Sequence, residues 1–176
     1  HILAVEPDEV PHPQDSLLEQ LLPVDLPITR VGAIPGQYTQ KLGLGNVGIR
    51  AFRSLQAAGD RLLCEQSFDL VFFSTTIFPV MALGPRWRDK FGVPYILDFQ
   101  DPWRSDYYRE TGNTPPGGWL KHGVTQLMAQ VMEPQALRSA AHIISVSPAY
   151  TATLKKRYPW LNADRFPLLP FGAPDA

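Results

Sequence analysis

The heptapeptide Asp98-Phe99-Gln100-Asp101-Pro102-Trp103-Arg104 gathers two carboxylates, a carboxamide, an indole and a guanidinium directly behind the apolar run Tyr95-Ile96-Leu97. A carboxylate at the end of an otherwise apolar strand costs free energy unless it is paired or faces a cleft. Strand alternation turns Asp98 and Gln100 to one face and leaves Asp101 at the turn. This is the strongest site signal in the chain, with a bland alternative beside it in which Asp101 caps a turn and Asp98 pairs with a nearby arginine.

Hydroxyls gather at two further places. Ser74, Thr75 and Thr76 follow the run Asp69-Leu70-Val71-Phe72-Phe73 and can either hydrogen-bond a polyhydroxylated ligand or cap the next helix. Ser145 and Ser147 end the run "IISVS", where Ser147 followed by Pro148 has the form of an N-cap and first helical residue. No G-x-S-x-G elbow surrounds either serine, which argues against a serine hydrolase. A phosphatase or phosphotransferase using Asp98 and Asp101 is a rival, although "DFQD" departs from the D-x-D spacing such enzymes usually carry.

His1, His12, His122 and His142 lie far apart, and none has a neighbouring ligand at metal-binding spacing, so no metal is expected. Cys64 is the single cysteine, which excludes an internal disulfide and a C-x-x-C site. "GLGNVG", Gly43 to Gly48, matches the G-x-G-x-x-G spacing of a dinucleotide turn, but "PGQYTQKL" separates it from the apolar run "ITRVGAI". A phosphate-cradling turn follows its strand almost at once, so these glycines read as easing entry into a helix. Trp103, Tyr107, Tyr108 and Trp119 are interleaved with Arg104, Arg109 and Lys121 in one loop. Loops run over the surface, so the rings can stack on sugars, dip into a membrane interface, or fold back on the domain.

Positioning these groups requires a sheet. Strands are predicted at "HILAVE", "ITRVGAI", "FDLVFFST", "PYILDF" and "AHIISVS", the last three so continuously apolar that both faces are expected to be buried. Helical spacing predicts a short helix around "SLLEQLL" and longer ones over 47–63, 78–90 and 118–140. Their apolar registers are Val47, Ala51, Leu55, Ala58 and Leu62, then Val80, Leu83 and Trp87, then Leu120, Val124, Leu127, Met128 and Val131. Pro134 is expected to kink or interrupt the third, and a further helix follows Ser147.

The alternation specifies an α/β, doubly wound, mainly parallel Rossmann-like sheet in three layers. With 176 residues, 44% of them hydrophobic and 19% charged, the chain reads as one globular domain over 1–176. A net charge of -1 without a basic run argues against nucleic acid as a partner. No apolar run nears the roughly 18 residues of a membrane span, and no signal peptide is visible. The chain starts inside a strand without Met and stops soon after the strand candidate "FPLLP", so it reads as a piece of something longer.

The succession "FDLVFFSTTIFPVMALGPRWRDKFGVPYILDFQDPW", "LRSAAHIISVSPAYTATLKKRYP" and "RFPLLPFGAPD" resembles the N-terminal half of glycosyltransferase family 4 enzymes. The matching positions are Gly92, Pro94, Asp98, Asp101 and Trp103, then Ala141, Ile143, Ile144, Val146 and Ser147, then Pro170 and Gly172. The likeness runs from Phe68 to the end. It departs at Gln100, where many relatives carry a His, at His142, where an Asp is common, and at Ala173, where a hydrophobic residue often precedes the final Asp. The family's first strand with its glycine-rich loop has no counterpart, so "HILAVE" takes the place of the second strand.

The resemblance implies one half of a GT-B architecture, with a C-terminal nucleotide-sugar domain lying outside this chain. It implies transfer of a sugar from a nucleotide-sugar donor to a hydroxyl acceptor with retention, and neither a metal nor a cofactor. The acceptor would be a sugar or glycolipid, in a bacterial cytoplasm with room for peripheral contact with the inner face of the membrane. Polysaccharide biosynthesis is the expected setting. Carried onto this sequence, Asp101, Asp98 and Gln100 stand near the reacting hydroxyl as the catalytic candidates. Ser74, Thr75, Thr76, Trp103, Arg104 and Ser147 become substrate-binding candidates. The alternative from another class is a non-catalytic α/β module that binds carbohydrate or a partner.

Overall fold

The computed structural model describes residues 1–10, 20, 22–39, 45–170 and 172. The helix expected around "SLLEQLL" falls largely outside them, as do His12, Gly43 and Ala173. The chain divides into two compact units, His1–Ser67 and Phe68–Ala176.

In the first unit, β1 (Ile2–Val5) and β2 (Ile28–Val31) run parallel, with Ile2 opposite Ile28 and Val5 opposite Val31. Helix α1 (Phe52–Glu65) meets both strands and buries Leu55, Ala58 and Gly59. The helix predicted over 47–63 is divided: one turn, Val47–Arg50, precedes α1, with Ala51 between them. Asn46 caps that turn by accepting from the Gly48 amide at 2.8 Å, so the glycines of "GLGNVG" that the structure describes stand at a helix entry. Arg50, nearly buried, donates to Glu9 Oε2 at 3.0 Å, to the Glu9 carbonyl at 2.7 Å and to the Ile34 carbonyl at 2.6 Å.

In the second unit, β3 (Val71–Ser74), β4 (Tyr95–Phe99) and β5 (His142–Ser145) form a parallel sheet in the order β3-β4-β5. The candidate strand "FPLLP" contributes a single parallel bridge, Leu168 to Ser145, flanked by bonds from Ser145 N to Pro167 O at 3.3 Å and from Leu169 N to Ser145 O at 2.9 Å. The connections are helical: α2 (Leu83–Phe91), α3 (Gly118–Arg138) and α4 (Pro148–Arg157). The helix predicted over 78–90 begins as a 3-10 turn, Phe78–Ala82, and ends at Gly92, whose φ of 74° closes it in the left-handed region that favours glycine.

One face of this sheet carries the core. Phe73, Tyr95, Leu97, Phe99 and Ile143 are buried there, each large apolar side chain worth about 1.5–3 kcal/mol of transfer free energy. Phe73 stacks on Trp87 of α2 at 5.8 Å and takes the Tyr95 ring edge-on at 6.1 Å. The Tyr95 hydroxyl donates to the Ala136 carbonyl of α3 at 2.7 Å, and burial raises its pKa.

Three expectations need correction. The sheet of this unit is not buried on both faces: Phe72 is 52% exposed and Ile96 and Ile144 are half-buried, because α2 and α3 meet the opposite face through Trp87 and Ala136. The apolar register read for α3 is not its inner face either, since Leu120 is 86% and Leu127 63% exposed. The helix turns Ala129, Glu133, Ala136 and Leu137 inward, where small side chains let its backbone approach Tyr95. It also runs through Pro134 without interruption. No helix among the described residues is long and apolar enough to cross a membrane.

Candidate functional site

The site lies in the second unit, where the carboxyl ends of its three parallel strands meet, the position at which open α/β sheets bind ligands. Register places Ser74 of β3 directly beside Asp98 of β4, so both side chains leave the same face. The Ser74 hydroxyl donates to Asp98 Oδ2 at 3.1 Å. Gln100, two residues on and therefore on the same face, donates through Nε2 to Asp98 Oδ2 at 2.9 Å and to Ser74 Oγ at 3.2 Å. The three side chains close a ring of neutral donors around one carboxylate oxygen.

The arginine partner considered for Asp98 is not found among the described residues; hydroxyl and amide hold it instead. Asp98 Oδ1 and Gln100 Oε1 accept no hydrogen bond there, which leaves two acceptors free on a half-buried ledge. Such acceptors suit the hydroxyls of a sugar. Asp101 follows at the turn, exposed and without a polar partner among the described residues.

The remaining candidates divide. Thr75 Oγ1 accepts from the Ile77 amide at 2.9 Å and so shapes the turn into the 3-10 segment, while Thr76 is exposed with its hydroxyl unengaged among the described residues. Trp103 folds back, stacking on Phe78 at 5.6 Å, and Phe78 in turn stacks on Phe99 at 5.9 Å. Ser147 caps α4, accepting from the Ala149 amide at 3.3 Å, and Pro148 takes the first helical position. Ser145 is buried and donates to the Ser147 carbonyl at 2.7 Å. Arg104, 23% exposed, turns to Tyr158, donating to its hydroxyl oxygen at 3.2 Å, with Glu133 Oε2 at 3.9 Å.

Glu133 is the residue the sequence reading missed. Its side chain is 0% exposed on the inner face of α3. Glu133 Oε2 accepts from the Tyr158 hydroxyl at 2.6 Å and from Arg157 Nη1 at 3.1 Å. Arg157 Nη2 also donates to the Arg104 carbonyl at 3.4 Å. Burial pushes the Glu133 carboxyl above the usual range, against the opposing pull of Tyr158, Arg157 and Arg104. Tyr158 is pushed up to about 12 by its own burial and by the carboxylate it serves, so it stays a donor at neutral pH. A signal existed: Glu133 is the one acid in Gly118–Arg138, at helical spacing from Ala129 and Ala136.

The aromatic segment is not one loop: Tyr107 and Tyr108 open a short helix, Tyr107–Thr111, and Trp119 and Lys121 lie in the first turn of α3. Tyr107 lies edge-on to Tyr108 at 5.2 Å, and His122 receives Tyr108 at 5.3 Å and Trp119 at 6.0 Å, while Tyr107 and Trp119 keep exposed surface. No group of three or more His, Cys, Asp and Glu is arranged to hold a metal ion among the described residues. A family model described as a glycosyl transferase 4-like domain matches residues 2–172. No curated protein matches the chain.

Proposed function

The chain belongs to the glycosyl transferase 4-like domain family, and from that premise we propose that it forms the acceptor side of an enzyme that transfers a sugar from a nucleotide-sugar donor to a hydroxyl with retention. The observation that carries the reading is the ring Ser74–Asp98–Gln100 at the carboxyl end of adjacent parallel strands, next to Asp101, which is exposed and has no polar partner among the described residues.

In this reading the acceptor sugar lies along the ledge. Its hydroxyls donate to Asp98 Oδ1 and Gln100 Oε1, and Ser74 and Thr76 offer further hydroxyl contacts. The reacting hydroxyl donates to Asp101. Its oxygen forms the new bond to the anomeric carbon on the same face from which the nucleoside diphosphate leaves with the bonding pair, as retention in a single step requires, and the proton passes to the Asp101 carboxylate. A positioned carboxylate of this kind contributes on the order of 10²–10⁴ in rate. Orientation by Asp98 and Gln100 adds the entropic share that a held acceptor no longer has to supply. The nucleotide sugar is bound mainly by a second domain, and a glycolipid acceptor would bring the protein to a membrane surface.

The test is acceptor-dependent release of nucleoside diphosphate from a panel of nucleotide sugars by the protein as its gene encodes it, with free sugars and glycolipids as acceptors. Release that needs both substrates supports the reading. Saturable acceptor binding without release from any donor in the panel would instead favour a carbohydrate-binding module.

A further inference from the structure

We infer that Glu133 is a positioning residue for the loop that carries Asp101, acting through Arg104 and not on the substrate; the inference rests on the proposed acceptor role of Asp101. Asp101 makes no polar contact of its own among the described residues, so the chain on either side sets its place. Before it, Gln100 is tied to Asp98 and Ser74 on the sheet. After it, Pro102 restricts the backbone, Trp103 lies on Phe78, and Arg104 is held twice.

The Arg104 guanidinium reaches the Tyr158 hydroxyl at 3.2 Å and its carbonyl accepts from Arg157 Nη2 at 3.4 Å. Both of those partners are fixed by the same atom, Glu133 Oε2, at 2.6 Å and 3.1 Å. One buried oxygen therefore ties α3, the end of α4 and the loop behind β4 together.

The chemistry is poorly matched to a role in stability alone. Burying a carboxylate with two guanidinium groups costs desolvation that apolar side chains of like volume would avoid. Part of that cost is left uncompensated, since among the described residues Glu133 Oε1 and Arg104 Nε are buried without a partner. What the ionic cluster supplies that an apolar contact would not is direction: two guanidinium groups and a phenol aimed at one point leave the loop a single resting position.

The test compares the wild-type protein, as its gene encodes it, with Glu133→Gln, Asp101→Asn and the double variant. Amide hydrogen exchange over 100–106 should quicken roughly tenfold in Glu133→Gln, with β4 and the middle of α3 unchanged. Transfer should lose on the order of ten- to a hundredfold in kcat, with the KM for the donor unmoved. In the double variant the Glu133 substitution should cost nothing further, because the group it positions is gone. Exchange that does not quicken overturns the inference whatever becomes of sugar transfer. Equal losses with and without Asp101 overturn it too, since they mark a diffuse structural effect. Should wild-type protein transfer no sugar, the proposed function fails, and with it the role assigned to Glu133, even if quickened exchange upholds the anchoring of the loop. If Glu133→Gln does not fold, Tyr158→Phe removes one donor from the same oxygen and carries the same readings.

Discussion

The Tyr158 hydroxyl donates to Glu133 Oε2 at 2.6 Å, joining the residue that follows α4 to the buried inner face of α3. The bond is charge-assisted when the carboxyl is ionised, and such bonds are roughly twice as strong as neutral ones. Burial nevertheless raises the carboxyl pKa, so desolvation outweighs the attraction of Tyr158, Arg157 and Arg104 combined.

A pH dependence follows with a definite sign. The folded state holds the Glu133 proton above the ordinary carboxyl value of 4.5, whereas the unfolded chain releases it there. Between 4.5 and the raised value the folded state binds more protons, so stability falls as pH rises through that window. Glutamine does not titrate. The difference in unfolding free energy between wild type and Glu133→Gln, followed by urea denaturation from about pH 4 to about pH 8, should therefore shift against the wild type as pH rises. A difference that stays flat would sink the assignment.

Gly84 provides a test of packing. A Cβ there would lie 2.6 Å from Cδ2 and Cε2 of Tyr95, whose ring is fully buried and whose hydroxyl is held by Ala136 and Ser139. The ring cannot swing away without giving up those bonds. Gly84→Ala should destabilise by about 1–3 kcal/mol through overpacking. Gly123→Ala, on an exposed stretch of α3 with nothing within 4 Å of the new Cβ, should stabilise by about 0.5–1 kcal/mol through helix propensity. Thermal melts of the two variants should move in opposite directions.

The sequence disclosed this architecture unevenly, and the reasons are physical. Each strand announced itself because burying one requires a run of apolar residues, and the shared face of Asp98 and Gln100 follows from the two-residue period. Ser74 beside Asp98 is a different matter, since inter-strand register is settled by packing across 24 residues of intervening chain. The role of Glu133 is hidden for the same cause: its partners Arg157 and Tyr158 lie 24 and 25 residues away. The inner face of α3 misled because Leu120 and Leu127 outweigh Ala129 and Ala136 in any hydrophobic tally, although small residues are what a close approach to Tyr95 needs. For Trp103 the sequence leaves open a ring that meets a ligand, a membrane or the domain itself, and stacking on Phe78 shows the last.

In the first unit, Arg50 offers an independent measurement. Its guanidinium holds the Glu9 carboxylate, the Glu9 carbonyl and the Ile34 carbonyl, and its side chain is nearly buried. Methionine would fill much of the volume but strand those acceptors. Arg50→Met should cost about 2–4 kcal/mol, read from the denaturation midpoint. The pairing of β1 with β2 should loosen with it, visible as faster amide exchange at Val31. A loss below about 0.5 kcal/mol would mean that water replaces the guanidinium at no cost.

Asp98 and Asp101 stand three residues apart and should respond in opposite ways to loss of charge. Asp98 is the acceptor for both Ser74 and Gln100. An asparagine there can turn its carbonyl oxygen to accept both bonds, but as a neutral and weaker acceptor, and its amide then puts a donor where Asp98 Oδ1 offers a free acceptor to the sugar. Asp98→Asn should thus cost about 1 kcal/mol of stability and raise the acceptor KM. Asp101 has no polar partner to lose among the described residues, so Asp101→Asn should leave stability within about 0.5 kcal/mol of wild type. Its effect should fall on kcat, by on the order of 10²-fold or more, since the amide cannot take the hydroxyl proton. The two substitutions remove the same charge from one short segment. If both lower kcat alike and neither touches KM, the separation between a carboxylate that orients the acceptor and one that receives its proton is wrong.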